Sequence, residues 1–72
     1  MVNRELKLLR CSHDLSQADM ADILGITTSS YNRKENGKQP FLLNEAIKIS
    51  SIFNKSVEEI FSKDFNENNY RD

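Results

Sequence analysis

Apolar side chains recur along this chain in short groups with helical spacing, each group closed by a break. Leu6 and Leu9, three apart among Arg4, Lys7 and Arg10, predict a first amphipathic helix running from an Asn3 cap to Ser12. His13-Asp14 interrupts it, and Ser16 with Asp19 three residues on forms a capping box with a shorter acid than usual. A second helix follows from Gln17 to Leu24, with Met20, Ala21 and Leu24 on one face and Asp19 and Asp22 left to solvent. Gly25 stands where a left-handed residue would end that helix and turn the chain. Thr27 then caps a third helix from about Thr28 to Asn36, closed by Asn36-Gly37.

Pro40 breaks the linker before a fourth helix, whose core face is expected to hold Leu43, Ala46, Ile47, Ser50 and Phe53, widened by Ile49 and Ile52. That helix ends near Asn54, and Ser56 with Glu59 opens a short fifth helix from Val57 to Phe61 or Ser62. No strand-like alternation is sustained, so the fold class is all-α, a compact five-helix domain over residues 1–62. Residues 63–72 are polar and Asn-rich and read as a frayed tail.

The third helix is unusual because Tyr31 is its only large apolar residue. A helix that buries so little is weak unless its other face is used. At 3.6 residues per turn, Thr28, Ser29, Asn32, Arg33 and Asn36 share the face opposite Tyr31, and all five can hydrogen-bond. Asn can pair with the adenine edge, Arg with guanine, and Ser or Thr with several bases. A capped helix, a Gly turn and a second polar helix make a helix-turn-helix, whose second helix enters the major groove.

The stretch Leu15-Ser16-Gln17-Ala18-Asp19-Met20-Ala21-Asp22-Ile23-Leu24-Gly25-Ile26-Thr27, followed by Ser30-Tyr31-Asn32-Arg33-Lys34-Glu35-Asn36-Gly37-Lys38, resembles the phage repressor and Cro-type family, also called the Xre family. Leu9-Arg10, Leu43, Lys48-Ile49 and the run from Ser56 to Phe61 extend the match to residues 3–61. The resemblance implies a lambda-repressor-like DNA-binding domain with the helix-turn-helix at helices two and three. It implies Thr28, Ser29, Asn32 and Arg33 as base readers, with Gln17, Thr27, Asn36 and Lys38 toward the phosphates; Lys34 is counted with these, either its stem covering the core while its ammonium reaches phosphate or this corner packing less well. It also implies a small residue, Ala21, where helices two and three cross, and an ion pair between Arg10 and Glu35. Asp14 departs from the family's Gly, Lys34 from a position often apolar, and Leu42 from a Ser or Thr cap.

Net charge refines this picture. The 72-residue chain carries −1 at neutral pH, which is mild for a DNA binder. Residues 1–38 hold six basic and five acidic side chains and the remainder four and six, so a phosphate-facing surface is expected in the first half. A protein-binding module, antitoxin-like or polymerase-interacting with weak DNA binding, is the alternative that this charge favours. The third helix, however, lacks the aromatic and aliphatic side chains that dominate protein interfaces.

An enzyme is not expected, since His13 has no nearby nucleophile and no glycine-rich phosphate loop is present. Nor is a cofactor or metal, with one Cys11 and one His13 read as structural or incidental, and no small-molecule ligand is anticipated. A polar amino terminus and a lone cysteine predict a cytoplasmic protein without a membrane segment. One short domain offers few contacts, so a homodimer on double-stranded DNA is expected, with Phe41, Leu42, Ile52, Phe61 and Phe65 as candidate interface residues. Phe61 fits the core equally well.

Overall fold

The computed structural model describes residues 3–61, which form an all-helical bundle. Its first four helices are α1 (Arg4–Ser12), α2 (Gln17–Leu24), α3 (Thr28–Glu35) and α4 (Leu43–Phe53), and residues 57–61 form a fifth, α5. The tail expected over residues 63–72 lies outside the described residues, and Phe65 with it.

Local chemistry accounts for the helix ends. Ser16 Oγ accepts from Asp19 N at 3.0 Å while Asp19 Oδ2 accepts from Ser16 N at 2.9 Å, so the shorter acid closes the box at the start of α2. Thr27 Oγ1 accepts from Ser30 N at 3.1 Å and starts α3. Gly25 ends α2 at φ 73°, and a Cβ built there would meet nothing within 4 Å, so backbone conformation rather than space calls for glycine. Asp14 adopts the same left-handed region at φ 59°, which a short polar side chain tolerates better than most. Asn54 does likewise at φ 55° and terminates α4.

Two expectations about helix ends change. Asn3 precedes α1, but its side chain makes no cap hydrogen bond. It turns instead to the far end of α3, where Asn3 N donates to Glu35 O at 2.9 Å and Asn3 Nδ2 to Lys34 O at 3.0 Å. The α4 start lacks a capping side chain at Leu42, yet Glu45 Oε1 accepts from Leu42 N at 2.9 Å, which restores half of a capping box.

The core gathers Leu6 and Leu9 of α1, Met20, Ala21 and Leu24 of α2, Tyr31 of α3, Ala46, Ile49 and Phe53 of α4, and Ile60 and Phe61 of α5. The face of α4 that turns inward differs from the one expected. Ala46, Ile49 and Phe53 are buried, whereas Leu43 and Ile47 are 73% and 55% exposed. An apolar stripe this wide exceeds what one neighbour can cover, and α4 is rotated so that Ile49 faces the bundle. Ala21, 1% exposed, lies where α2 meets α3, the principal helix-to-helix contact.

Candidate nucleic-acid interface

Three of the last five residues of α3 are buried, and each does a different job. Tyr31 is fully buried and meets Phe41 edge-on at 6.0 Å between ring centroids. Lys34 and Glu35 follow one turn later and are also buried. Glu35 is the centre of a hydrogen-bond network. Arg10 donates through Nε to Oε2 at 2.8 Å and through Nη2 to Oε1 at 3.2 Å. Tyr31 OH donates to Oε2 at 2.9 Å and Gln17 Nε2 to Oε1 at 2.9 Å. Arg10 Nη1 also reaches Leu15 O at 2.7 Å. The ion pair expected from the resemblance is therefore present, bidentate and nearly sealed from solvent.

These contacts set the charge states. Burial pushes the Glu35 carboxyl up, but the hydrogen bonds from Arg10, Gln17 and Tyr31 outweigh it and hold the group below the ordinary carboxylate range. Burial, then the Glu35 charge, pushes the Tyr31 phenol up, so it remains a donor. Among the described residues, every buried side-chain nitrogen and oxygen has a hydrogen-bond partner.

With that inner side seated, Thr28, Ser29, Asn32 and Arg33 are left exposed on α3. Arg33 is held rather than loose, since Nη1 donates to Ser29 Oγ at 2.9 Å and Nε to Gln39 Oε1 at 3.0 Å. Gln39 escapes sequence reading because it lies past the helix in a linker whose path only the fold reveals. Asn32 Nδ2 donates to Gln17 Oε1 at 3.0 Å, joining the start of α2 to the exposed face. Asn36 closes α3 and Lys38 lies exposed on the following loop, where Lys38 N donates to Arg33 O at 2.8 Å. Thr27 is exposed, its hydroxyl oxygen already accepting the cap hydrogen bond.

Lys34 is the correction within the expected site. Its Nζ donates to both oxygens of Glu45, at 2.7 and 2.8 Å, and the pair is buried between α3 and α4. Its long stem is buried, and the ammonium finds a carboxylate before it finds solvent. Lys34 is thus not presented to a phosphate backbone. Accordingly, Lys34→Met leaves the slope of log affinity against log salt unchanged, whereas Lys38→Ala lowers it by about one. Salt titrations of duplex binding check this pair, and a reduced slope for Lys34→Met would restore Lys34 to the phosphate contacts.

Removing Arg10, Lys34 and Glu35 to the interior also changes the local charge. Of the charged side chains in residues 3–38, four basic (Arg4, Lys7, Arg33, Lys38) and four acidic (Glu5, Asp14, Asp19, Asp22) remain exposed. The half-chain excess expected from counting is therefore spent internally. Of these four exposed basic side chains, Arg33 and Lys38 lie on α3 and the loop after it, and Arg4 and Lys7 on α1. His13 is absorbed structurally, with Nδ1 2.9 Å from Leu9 O and its ring edge-on to Phe53 at 5.0 Å. No helix among the described residues is long and apolar enough to cross a membrane.

A family model described as helix-turn-helix matches residues 6–60. The chain is similar to antitoxin PezA of Streptococcus pneumoniae, 36% identical over 64 residues, which is 89% of this chain and 40% of the antitoxin. It is also similar to an uncharacterized HTH-type transcriptional regulator of Methanocaldococcus jannaschii, 35% identical over 60 residues, or 83% of this chain and 91% of that protein. The chain thus spans less than half of the antitoxin but nearly all of the archaeal regulator. With α2, the Gly25 turn and α3 arranged as described, the chain belongs to the helix-turn-helix family of phage repressor and Cro type, the Xre family.

Proposed function

We propose that this protein is a sequence-specific double-stranded DNA-binding transcriptional regulator that acts as a dimeric repressor on a pseudo-palindromic operator. The observation that carries this reading is the two-sidedness of α3, whose Tyr31, Lys34 and Glu35 are buried while Thr28, Ser29, Asn32 and Arg33 form an exposed polar face. Such a helix is stable because its inner side is tightly held, and its outer side carries the groups that read base edges. Gln17, Asn36 and Lys38 flank it as phosphate contacts, fixing the register of α3 in the major groove. Two copies would bring half-sites about 34–36 Å apart, one helical turn. Leu43 and Ile47, one turn apart on α4 with exposed Leu42 beside them, offer the apolar surface for a second copy. Among the other candidates Phe61 is committed to the core, and Phe41 and Ile52 are partly buried against it.

Selection from a library of random duplexes tests the reading, with molar mass on the selected site measured by light scattering. An enriched palindrome bound by two copies is expected. Arg33→Ala then relaxes preference at one base pair per half-site by about 1–3 kcal/mol. No enrichment at low salt, where phosphate contacts are strongest, would sink the reading.

The same apolar surface on α4 and the likeness to an antitoxin favour a second reading, in which the domain docks a protein partner and DNA binding is weak. That reading places the deleterious substitutions at Leu43 and Ile47 instead of at Arg33.

A further inference from the structure

The polarity of the Glu35 network continues past the interior to the exposed face. Glu35 is a charged carboxylate that takes two hydrogen bonds from Arg10 and one from Tyr31, so it can only accept. The Gln17 side chain that meets Glu35 Oε1 at 2.9 Å must therefore present its NH2 group there. Its carbonyl oxygen is then the atom left for Asn32, and Asn32 must answer with Nδ2, at 3.0 Å. The terminal torsion of an amide side chain is broad and roughly two-fold, so an amide with no fixed partner can exchange its donor and acceptor ends. Here a buried ion pair fixes the sense of two successive amides.

We infer that Gln17 is a positioning residue that transmits the Arg10–Glu35 polarity to Asn32, so that Asn32 meets the base pair with Oδ1 as acceptor and one Nδ2 proton as donor. That combination matches adenine, whose N6 amino group donates and whose N7 accepts. Guanine presents two acceptors, N7 and O6, and calls for both Nδ2 protons, one of which Asn32 already spends on Gln17. Asn32 can spend its second Nδ2 proton on Gln17 without losing the pair that adenine needs. Gln17 thus selects adenine over guanine at a base pair it does not touch. This inference rests on the assignment of Asn32 as a base reader.

The test compares Gln17→Met, Asn32→Ala and the double variant on the selected duplex and on its single adenine-to-guanine changes. Gln17→Met lowers the adenine-over-guanine preference about tenfold at one base pair per half-site and leaves other positions alone. The double variant shows no further loss of preference there beyond Asn32→Ala. If Gln17→Met weakens all sequences equally, while Asn32→Ala still loses preference, Gln17 is a phosphate contact only and the inference is overturned. If Asn32→Ala changes no preference, the inference falls together with the underlying assignment of Asn32. The unsubstituted protein supplies an independent readout by nuclear magnetic resonance. Side-chain amide protons of Asn32 exchange with solvent more slowly than those of Asn44, which is also exposed; equal rates overturn the inference.

Discussion

Replacing Glu35 by Ala costs about 3–5 kcal/mol, the range for breaking a buried ion pair from one side. A domain of this length has a total stability of about 4–11 kcal/mol, so the variant stands at the edge of unfolding. The cause is the number of groups orphaned at once. Arg10 keeps only Leu15 O, while the Tyr31 hydroxyl and the Gln17 amide lose their acceptor. Thermal denaturation followed by circular dichroism should show Tm falling by at least ~12 °C, since about 1 kcal/mol moves a domain of this size by ~4–8 °C. Replacing the polar members together, with Arg10→Met, Glu35→Leu and Tyr31→Phe, recovers most of the loss, because an apolar cluster has no charge left to solvate. A melting curve for Glu35→Ala that overlays the parent would show that the network contributes nothing.

The same carboxylate predicts an acid transition. Burial pushes Glu45 up too, but hydrogen bonds from Lys34 and Leu42 N and the Lys34 charge bring it below its usual value, as the Arg10, Gln17 and Tyr31 contacts do for Glu35. A carboxyl whose folded pKa is depressed favours the folded state fully above its unfolded pKa, about 4.3 for Glu. That contribution is lost as pH falls through the lower folded values. Urea midpoints should therefore hold steady from neutral pH to about pH 5 and decline below it.

Tyr31→Ala is the second large effect, at about 3–5 kcal/mol by the scale for deleting a buried aromatic ring. It opens the only aromatic contact between α3 and the Phe41 loop among the described ring pairs. Tyr31→Phe keeps the ring and loses one hydrogen bond to Glu35, so it costs only about 0.5–1.5 kcal/mol. The contrast separates packing from polarity, and equal losses for the two would place the whole effect in the hydroxyl. Because the Tyr31 phenol is pushed up on folding, the stability it lends is fully present below its unfolded value near 10 and is lost only in stronger alkali.

Much of this molecule is legible along the chain. Capping boxes at Ser16 and Ser56, the Thr27 cap and the left-handed Gly25 are local chemistry, so the helix limits follow from neighbouring residues alone. The Arg10–Glu35 pair came from the resemblance and from nothing nearer, because 25 residues separate the two. What stayed hidden depends on orientation. An α4 stripe that includes Leu43, Ile47, Ile49 and Ile52 does not say which edge turns inward, since periodicity sets a face only to within its own width. The destination of Lys34 needed Glu45, eleven residues on across Pro40, to be brought under α3. The ties from Gln39 to Arg33 and from Gln17 to Asn32 likewise join segments whose approach no local rule dictates.

Asn3 gives the bundle a geometric property with practical weight. By donating to Lys34 O and Glu35 O it fastens the start of α1 to the end of α3. Polypeptide fused ahead of it would leave the domain beside Asn36, within two residues of Lys38, where the duplex backbone is proposed to run. An affinity handle at that end therefore becomes part of the electrostatic surface that meets DNA. Its own charge would be read in any equilibrium constant measured with it attached, an acidic handle weakening association and a basic one strengthening it.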